Sequence, residues 1–205
     1  MADTPDTGTA PDVSWIRAMW RRPPRKIFHG VVAIVGAGVM WAAGNPFGFG
    51  LAFSLTFVLM LLAGMWAARG AAFLLFRRRG SAVGDARWFL VAPILGAVAV
   101  VAVSLDLPLK ARWAASEASF ERVAEDVLSD GVPRWDESHR VGLYRVHRIY
   151  IVDGSVFFQD PEGAFLTVGG FAFLPDGPSE SLNPVGGPIE FRHLRGDWFI
   201  WEAYF

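Results

Sequence analysis

With 53% hydrophobic and 19% charged residues in 205, the chain is more apolar than an average soluble domain and long enough for two structural units. The absence of cysteine excludes disulfides, thiolate nucleophiles and cysteine-ligated zinc. A net charge of -1 conceals a split: residues 1–87 hold ten Arg/Lys and four Asp/Glu, whereas residues 108–205 hold nine and fifteen, as expected of parts that face different compartments.

Residues 1–13, "MADTPDTGTAPDV", are rich in Thr, Pro and Asp with almost nothing to bury, and read as a disordered tail. Ser14 is placed to cap a short interfacial helix that sets Trp15 and Trp20 among lipid headgroups and Arg17, Arg21 and Arg22 against phosphates. This helix opens a membrane domain over 14–107. From Ile27 to Ala68 no Asp, Glu, Lys or Arg occurs in 42 residues. One helix of that length would run about 63 Å, twice a bilayer's hydrocarbon thickness, so the segment must fold back. The break is "GNPFGFG", and a third uncharged run begins at Trp88. Three transmembrane helices are expected at about 27–44, 48–68 and 88–107, the second with an alternative end at 76 through Arg69.

Five Arg/Lys precede the first pass, none lies in the first loop, and Arg69, Arg77, Arg78, Arg79 and Arg87 fill the second. The positive-inside rule then puts the amino terminus and second loop in the cytoplasm and everything after Leu107 outside a cytoplasmic (inner) membrane. Trp15, Trp20, Trp41, Trp66, Trp88 and Trp113 all fall near an expected boundary, where an amphipathic indole is stable; with Arg77, Arg78 and Arg79 they form the expected membrane-interface set.

Residues 108–205 read as an extracytoplasmic α+β domain. "ARWAASEASFERVAEDVLSDG" predicts one amphipathic helix with Trp113, Phe120, Val123, Ala124, Val127 and Leu128 on its apolar face. "GLYRVHRIYIV" and "SVFFQ" flank Asp153-Gly154, a pair suited to a two-residue hairpin turn. In "AFLTVGGFAFL" the paired glycines predict a bulge or bend, and "PSESLNPVGGP" has the composition of a mobile loop. A second hairpin, "IEFRHL" and "WFIWEAY", closes the chain. One helix on an antiparallel sheet is the expected arrangement, a cystatin-like roll. The last strand carries apolar groups on both faces, so its second face must touch the domain's helix, the membrane surface or a partner; Trp198, Trp201 and Phe205 are the candidate partner surface.

The stretch "GGFAFLPDGPSESLNPVGGPIEFRHLRGDWFIWE", residues 169–202, resembles uncharacterised small membrane proteins of GC-rich actinobacteria, in which a Gly-aromatic segment runs into "PDGP" and a closing hairpin follows a variable loop. Seventeen arginines against two lysines agree with a GC-rich genome. The resemblance implies a membrane-attached envelope protein and carries no activity.

No catalytic, cofactor or metal constellation stands out. His29, His139, His147 and His193 lack metal-ligand spacing, and His147 lies between Arg145 and Arg148, whose charges disfavour a cation. Asp160, Glu162 and Asp176 fall where turns need Pro and Gly anyway. Small-residue pairs such as Gly38 with Ala42 suit helix packing. No ionisable group lies mid-span, which argues against a transporter. The expected function is non-enzymatic: display of the outer domain to another envelope or membrane protein, with the lipid bilayer as the other partner and no nucleic acid. Alternatives are an envelope sensor acting through "RRRGSAVGDAR", and an enzyme on lipid or cell wall using His147, Arg145 and Asp153.

Overall fold

A computed structural model describes residues 26–76, 88–131, 138–161, 167–179 and 181–204. The amino-terminal tail, the interfacial helix with Trp15 and Trp20, the Arg77–Arg79 cluster and Phe205 lie outside these residues. The chain forms two compact units, one of residues up to Gly36 with Phe57–Val98, the other of Ala37–Thr56 with Ala99–Phe205.

The apolar segments are helical: α1 spans Lys26–Ala43, α2 Phe49–Phe76 and α3 Trp88–Ser104. Two of them are long and apolar enough to cross a membrane, and a third qualifies if α3 is counted with the short helix that follows it. α2 continues as one α-helix past Arg69 to Phe76, which either expected end of the second span allows. Its 28 residues extend about 42 Å, beyond a hydrocarbon core of about 30 Å, which leaves Arg69 in its final third. Its only hydroxyls in the first two turns are satisfied locally, Ser54 donating to the Gly50 carbonyl and Thr56 to that of Ala52. In the first unit Trp66 Nε1 donates to the Phe89 carbonyl at 3.0 Å and His29 stacks on Trp88. In the second, Gly38 lets α1 approach Leu55 of α2, where an added Cβ would lie 3.2 Å from the leucine side chain.

The chain leaves α3 by a 62° bend at Leu105-Asp106. Asp106 adopts a left-handed conformation, φ 54°, that aspartate tolerates better than most residues, and Pro108 suits the first turn of α4, Leu107–Ala114. The single amphipathic helix expected here is in fact two, because Ala115-Ser116 separates α4 from α5, Glu117–Asp130. Ser116 explains the break: its buried hydroxyl donates to the Arg112 carbonyl and accepts from the Leu143 amide, tying the helix junction to a turn of the sheet region. α5 buries Phe120, Ala124 and Val127, leaves Leu128 exposed, and stops at Gly131, whose amide bonds Val127 in a left-handed cap.

The strand expected over 142–152 is also subdivided. Gly142-Leu143 turns a small ribbon of β1 (His139–Val141) and β2 (Tyr144–Val146), and β3 (Arg148–Val152) starts a separate sheet. Gly142 is required twice over, by its φ of 57° and because a Cβ would fall 2.6 Å from that of Ser116. β3 pairs with β4 (Ser155–Gln159) through the expected Asp153-Gly154 turn, both residues at positive φ. β5 (Thr167–Phe173), β6 (Ile189–Arg195) and β7 (Trp198–Tyr204) complete an antiparallel sheet of order β3-β4-β5-β7-β6. The final hairpin thus inserts β7 between β5 and the edge strand β6.

No bulge occurs at Gly169-Gly170: both pair in unbroken register with β7, and Gly170 pairs with Gln159 of β4; the irregularity lies in β6 between His193 and Arg195. The glycines serve close approach instead, since a Cβ on Gly170 would collide with the Phe158 carbonyl and one on Gly169 with the Phe47 ring.

Both sheet faces are covered. Phe158, Phe171, Trp198 and Ile200 pack with Trp113, Phe120 and Val127 from α4 and α5. On the other face Phe157, Ala172, Trp201 and Ala203 are covered by Leu182 and Val185 from the segment between β5 and β6. That segment is built, with Asn183 Oδ1 accepting from the amides of Val185 and Gly186 and its Nδ2 donating to the Gly187 carbonyl. The chain's own loop therefore occupies the second face of the last strand.

Candidate functional site

Two expected surface groups prove to be core. Trp113, read as a membrane-interface residue, is 2% exposed and has ring contacts with Phe120, Phe171 and Trp198 at 4.9–5.1 Å. Its ring meets that of Phe120 across the junction of α4 and α5, and the burial of a large aromatic face outweighs an interfacial position. Trp198 and Trp201, read as a partner surface, are 3% and 0% exposed, each covered as described above. Trp41 and Trp88 are exposed and Trp66 is half-buried.

The residues that assemble are mostly others. The turn between α1 and α2 enters the sheet unit: Phe47 joins the cluster beneath α4 and α5, with its ring edge-on to Phe171 at 5.9 Å, and the Gly44 carbonyl accepts a 3.0 Å hydrogen bond from the Tyr144 hydroxyl. Asn45 shapes the turn by accepting from the Phe47 amide, and Gly44 allows the approach because a Cβ would crowd Arg112 and the Pro108 carbonyl.

Arg112 is the centre of the arrangement. Its guanidinium lies over the Trp41 ring at 4.7 Å and the Tyr144 ring at 4.4 Å, so the cation contacts two aromatic faces. One terminal nitrogen donates to the Leu143 carbonyl, while Nε is buried without a hydrogen-bond partner among the described residues. Burial pushes the Tyr144 hydroxyl well above the usual tyrosine range, an effect the Arg112 charge opposes and the Asp160 charge adds to. Tyr144 accordingly stays protonated and keeps donating to Gly44 at every physiological pH.

Beside this cluster opens a cleft of about 270 Å³ lined by Trp41, Leu51, Arg112, Arg140, Arg145 and Asp160, among others. The ribbon register sets Arg140 directly opposite Arg145, so both guanidinium groups leave from one face. Three arginines against one carboxylate give these charged walls a net charge of about +2 at neutral pH. "RVGLYR" holds the signal that could have found this pair, because a turn at Gly142-Leu143 makes the two arginines cross-strand neighbours. Nothing in the sequence marks Arg112 or Phe47, which act through residues about 30 and 120 positions away.

The three residues weighed for an enzyme do not converge. Arg145 lines the cleft, His147 sits between β2 and β3, and Asp153 is at the β3–β4 turn; the strand between the last two separates them by about 20 Å. Among the described residues no group of three or more His, Asp or Glu side chains could hold a metal ion.

Comparison adds no relative. No protein-family model matches the chain, and neither do any of the curated proteins or solved structures compared with it.

Proposed function

We propose that the chain is a non-enzymatic integral membrane protein in which three passes carry an α+β domain, a sheet rolled about α4 and α5 in the manner of cystatins, outside the cytoplasmic membrane. The domain serves to bind an envelope or membrane partner, as a display module or accessory subunit. The observation that carries this reading is the seating of the α1–α2 turn in the domain core through Phe47 and Gly44. A turn and a domain that share a core must share a side of the membrane. Because α2 leads away from that turn over a membrane-spanning length, the chain needs a further crossing to return, and α3, an uncharged apolar helix of 17 residues that qualifies as a span together with α4, is the segment available for it. The basic residues that flank α1 and follow α2 favour the cytoplasm for the opposite side.

The absence of native cysteine makes topology directly testable. In spheroplasts, a membrane-impermeant maleimide is expected to label Asp176→Cys, in an exposed turn, and to reach Ser81→Cys only after permeabilisation. The opposite pattern would invert the scheme. Co-purification in mild detergent tests the partner: a protein that always migrates alone, with an outer domain dispensable in vivo, would remove the display role.

A further inference from the structure

We propose that the arginine cleft is a binding site for a phosphate-bearing anion, and that its occupant in the membrane is the headgroup of an anionic phospholipid. Arg140 and Arg145 stand directly opposite each other on a two-stranded ribbon, a like-charge pair that destabilises the ribbon, and with Arg112 they outnumber Asp160, the one carboxylate lining the cleft, by three to one. Arg112 adds a third guanidinium that is already oriented by two aromatic rings and the Leu143 carbonyl, so little side-chain entropy remains to be lost on binding. Its buried Nε, which has no acceptor among the described residues, is a donor that a ligand oxygen or a water linked to one would satisfy. Planar guanidinium forks match phosphate oxygens in geometry as well as charge.

The walls distinguish a lipid from a free anion. About 270 Å³ is slightly below the roughly 300–1,000 Å³ usual for a complete small-molecule ligand, and suits a headgroup whose remainder lies elsewhere. The cleft is bounded by Trp41 near the end of α1 and Leu51 near the start of α2, both more than half exposed. Those two helices are the ones apolar enough to cross a membrane, so a phosphate held by the arginines has an apolar path beside it for acyl chains. A free phosphate would need no such path. The inference rests on the membrane reading above and deepens it, giving the domain a lipid contact close to where its chain leaves the bilayer.

Native mass spectrometry of the full chain in mild detergent tests the site, with phosphatidylglycerol, phosphatidylcholine and inorganic phosphate as separate probes. One phosphatidylglycerol is expected to be retained per chain. Loss of two charge-assisted contacts in Arg140→Gln/Arg145→Gln should weaken retention by about tenfold or more. Arg192→Gln/Arg195→Gln, which removes equal charge from β6, should leave it unchanged. Thermal unfolding of both variants checks that each is folded; if the first is not, Arg145→Gln alone carries the test and should still weaken retention. Equal retention by the cleft variants overturns the site. Phosphatidylcholine held as firmly as phosphatidylglycerol overturns the anionic headgroup, and displacement of the lipid by an equal concentration of inorganic phosphate overturns the lipid assignment in favour of a free anion. Maleimide labelling does not depend on any of these readings, so the topology and the lipid site fail separately.

Discussion

Leu75 in α2 and Phe120 in α5 are both large apolar residues, yet the first is 79% exposed and the second not at all. The contrast extends through their surroundings. Within α2 the candidate span has none of its residues buried, and Phe53, Phe57, Met60, Leu61 and Leu74 all face outward. In the sheet unit the same residue types turn inward, and arginines, glutamates and aspartates occupy much of the outside. A water-facing α2 would expose far more contiguous apolar surface than soluble proteins carry, whereas in lipid it incurs no such cost. The two regions differ in apolar content and also in the direction in which their apolar groups face, outward in α2 and inward in the sheet unit.

Truncating equivalent side chains in the two settings would break this comparison most directly. Trp113→Ala should cost the sheet unit about 3–5 kcal/mol, because it removes an indole packed by four aromatic rings. Trp41→Ala, at an exposed position, should cost about 0.5–1 kcal/mol, chiefly the lost contact with Arg112. Denaturant unfolding in detergent, followed through the sheet signal, measures both, and similar losses at the two sites would mean that the burial contrast is not energetic.

A charge placed on each exterior gives the next largest effect. Met60→Arg, outward-facing within α2, should penalise insertion by about 2.5–3.5 kcal/mol if lipid surrounds it, read as the inserted fraction in a glycosylation-mapping assay. Leu128→Arg, on the exposed flank of α5, should shift folding stability by no more than about 0.5 kcal/mol. Tolerance of arginine at Met60 would place α2 in water or against another protein.

The smallest effect sharpens the link between the α1–α2 turn and the sheet unit. Tyr144→Phe removes the bond to Gly44 and should cost about 0.5–1.5 kcal/mol. The folded-state pKa of Tyr144 is raised, so the unfolded chain releases this proton first as pH rises. The contribution is therefore complete below about pH 10, the ordinary tyrosine value, and declines above it. Wild-type melting temperature should fall more steeply above pH 10 than that of the variant; parallel curves would remove Tyr144 from the titration.

Much of this architecture was legible from local pattern. Forty-two uncharged residues interrupted by Asn45-Pro46 predict two apolar helices joined by a turn, because Pro and the flanking glycines break a run too long for one helix across a bilayer. Asp153-Gly154 announces its turn, and the 3.6-residue spacing of Phe120, Ala124 and Val127 announces the buried face of α5, for equally local reasons. The helix break at Ser116 was not legible, because it depends on an amide 27 residues away. Gly169-Gly170 read as a bulge or bend, and their role in close approach was not legible for a similar reason, since the groups that exclude a Cβ come from β4, β7 and the α1–α2 turn.

By itself, then, the amino-acid sequence determined which segments are long apolar helices, where the chain turns, and which strands alternate, since each follows from the chemistry of a few neighbouring residues. Only the tertiary structure decided that Trp113, Trp198 and Trp201 are interior, that the loop after β5 covers the second sheet face, and that Phe47 enters the sheet core. It alone brought Arg112, Arg140 and Arg145 to one cleft. Burial and charge juxtaposition are properties of pairs distant in the chain, and no local pattern encodes which distant surfaces fit together.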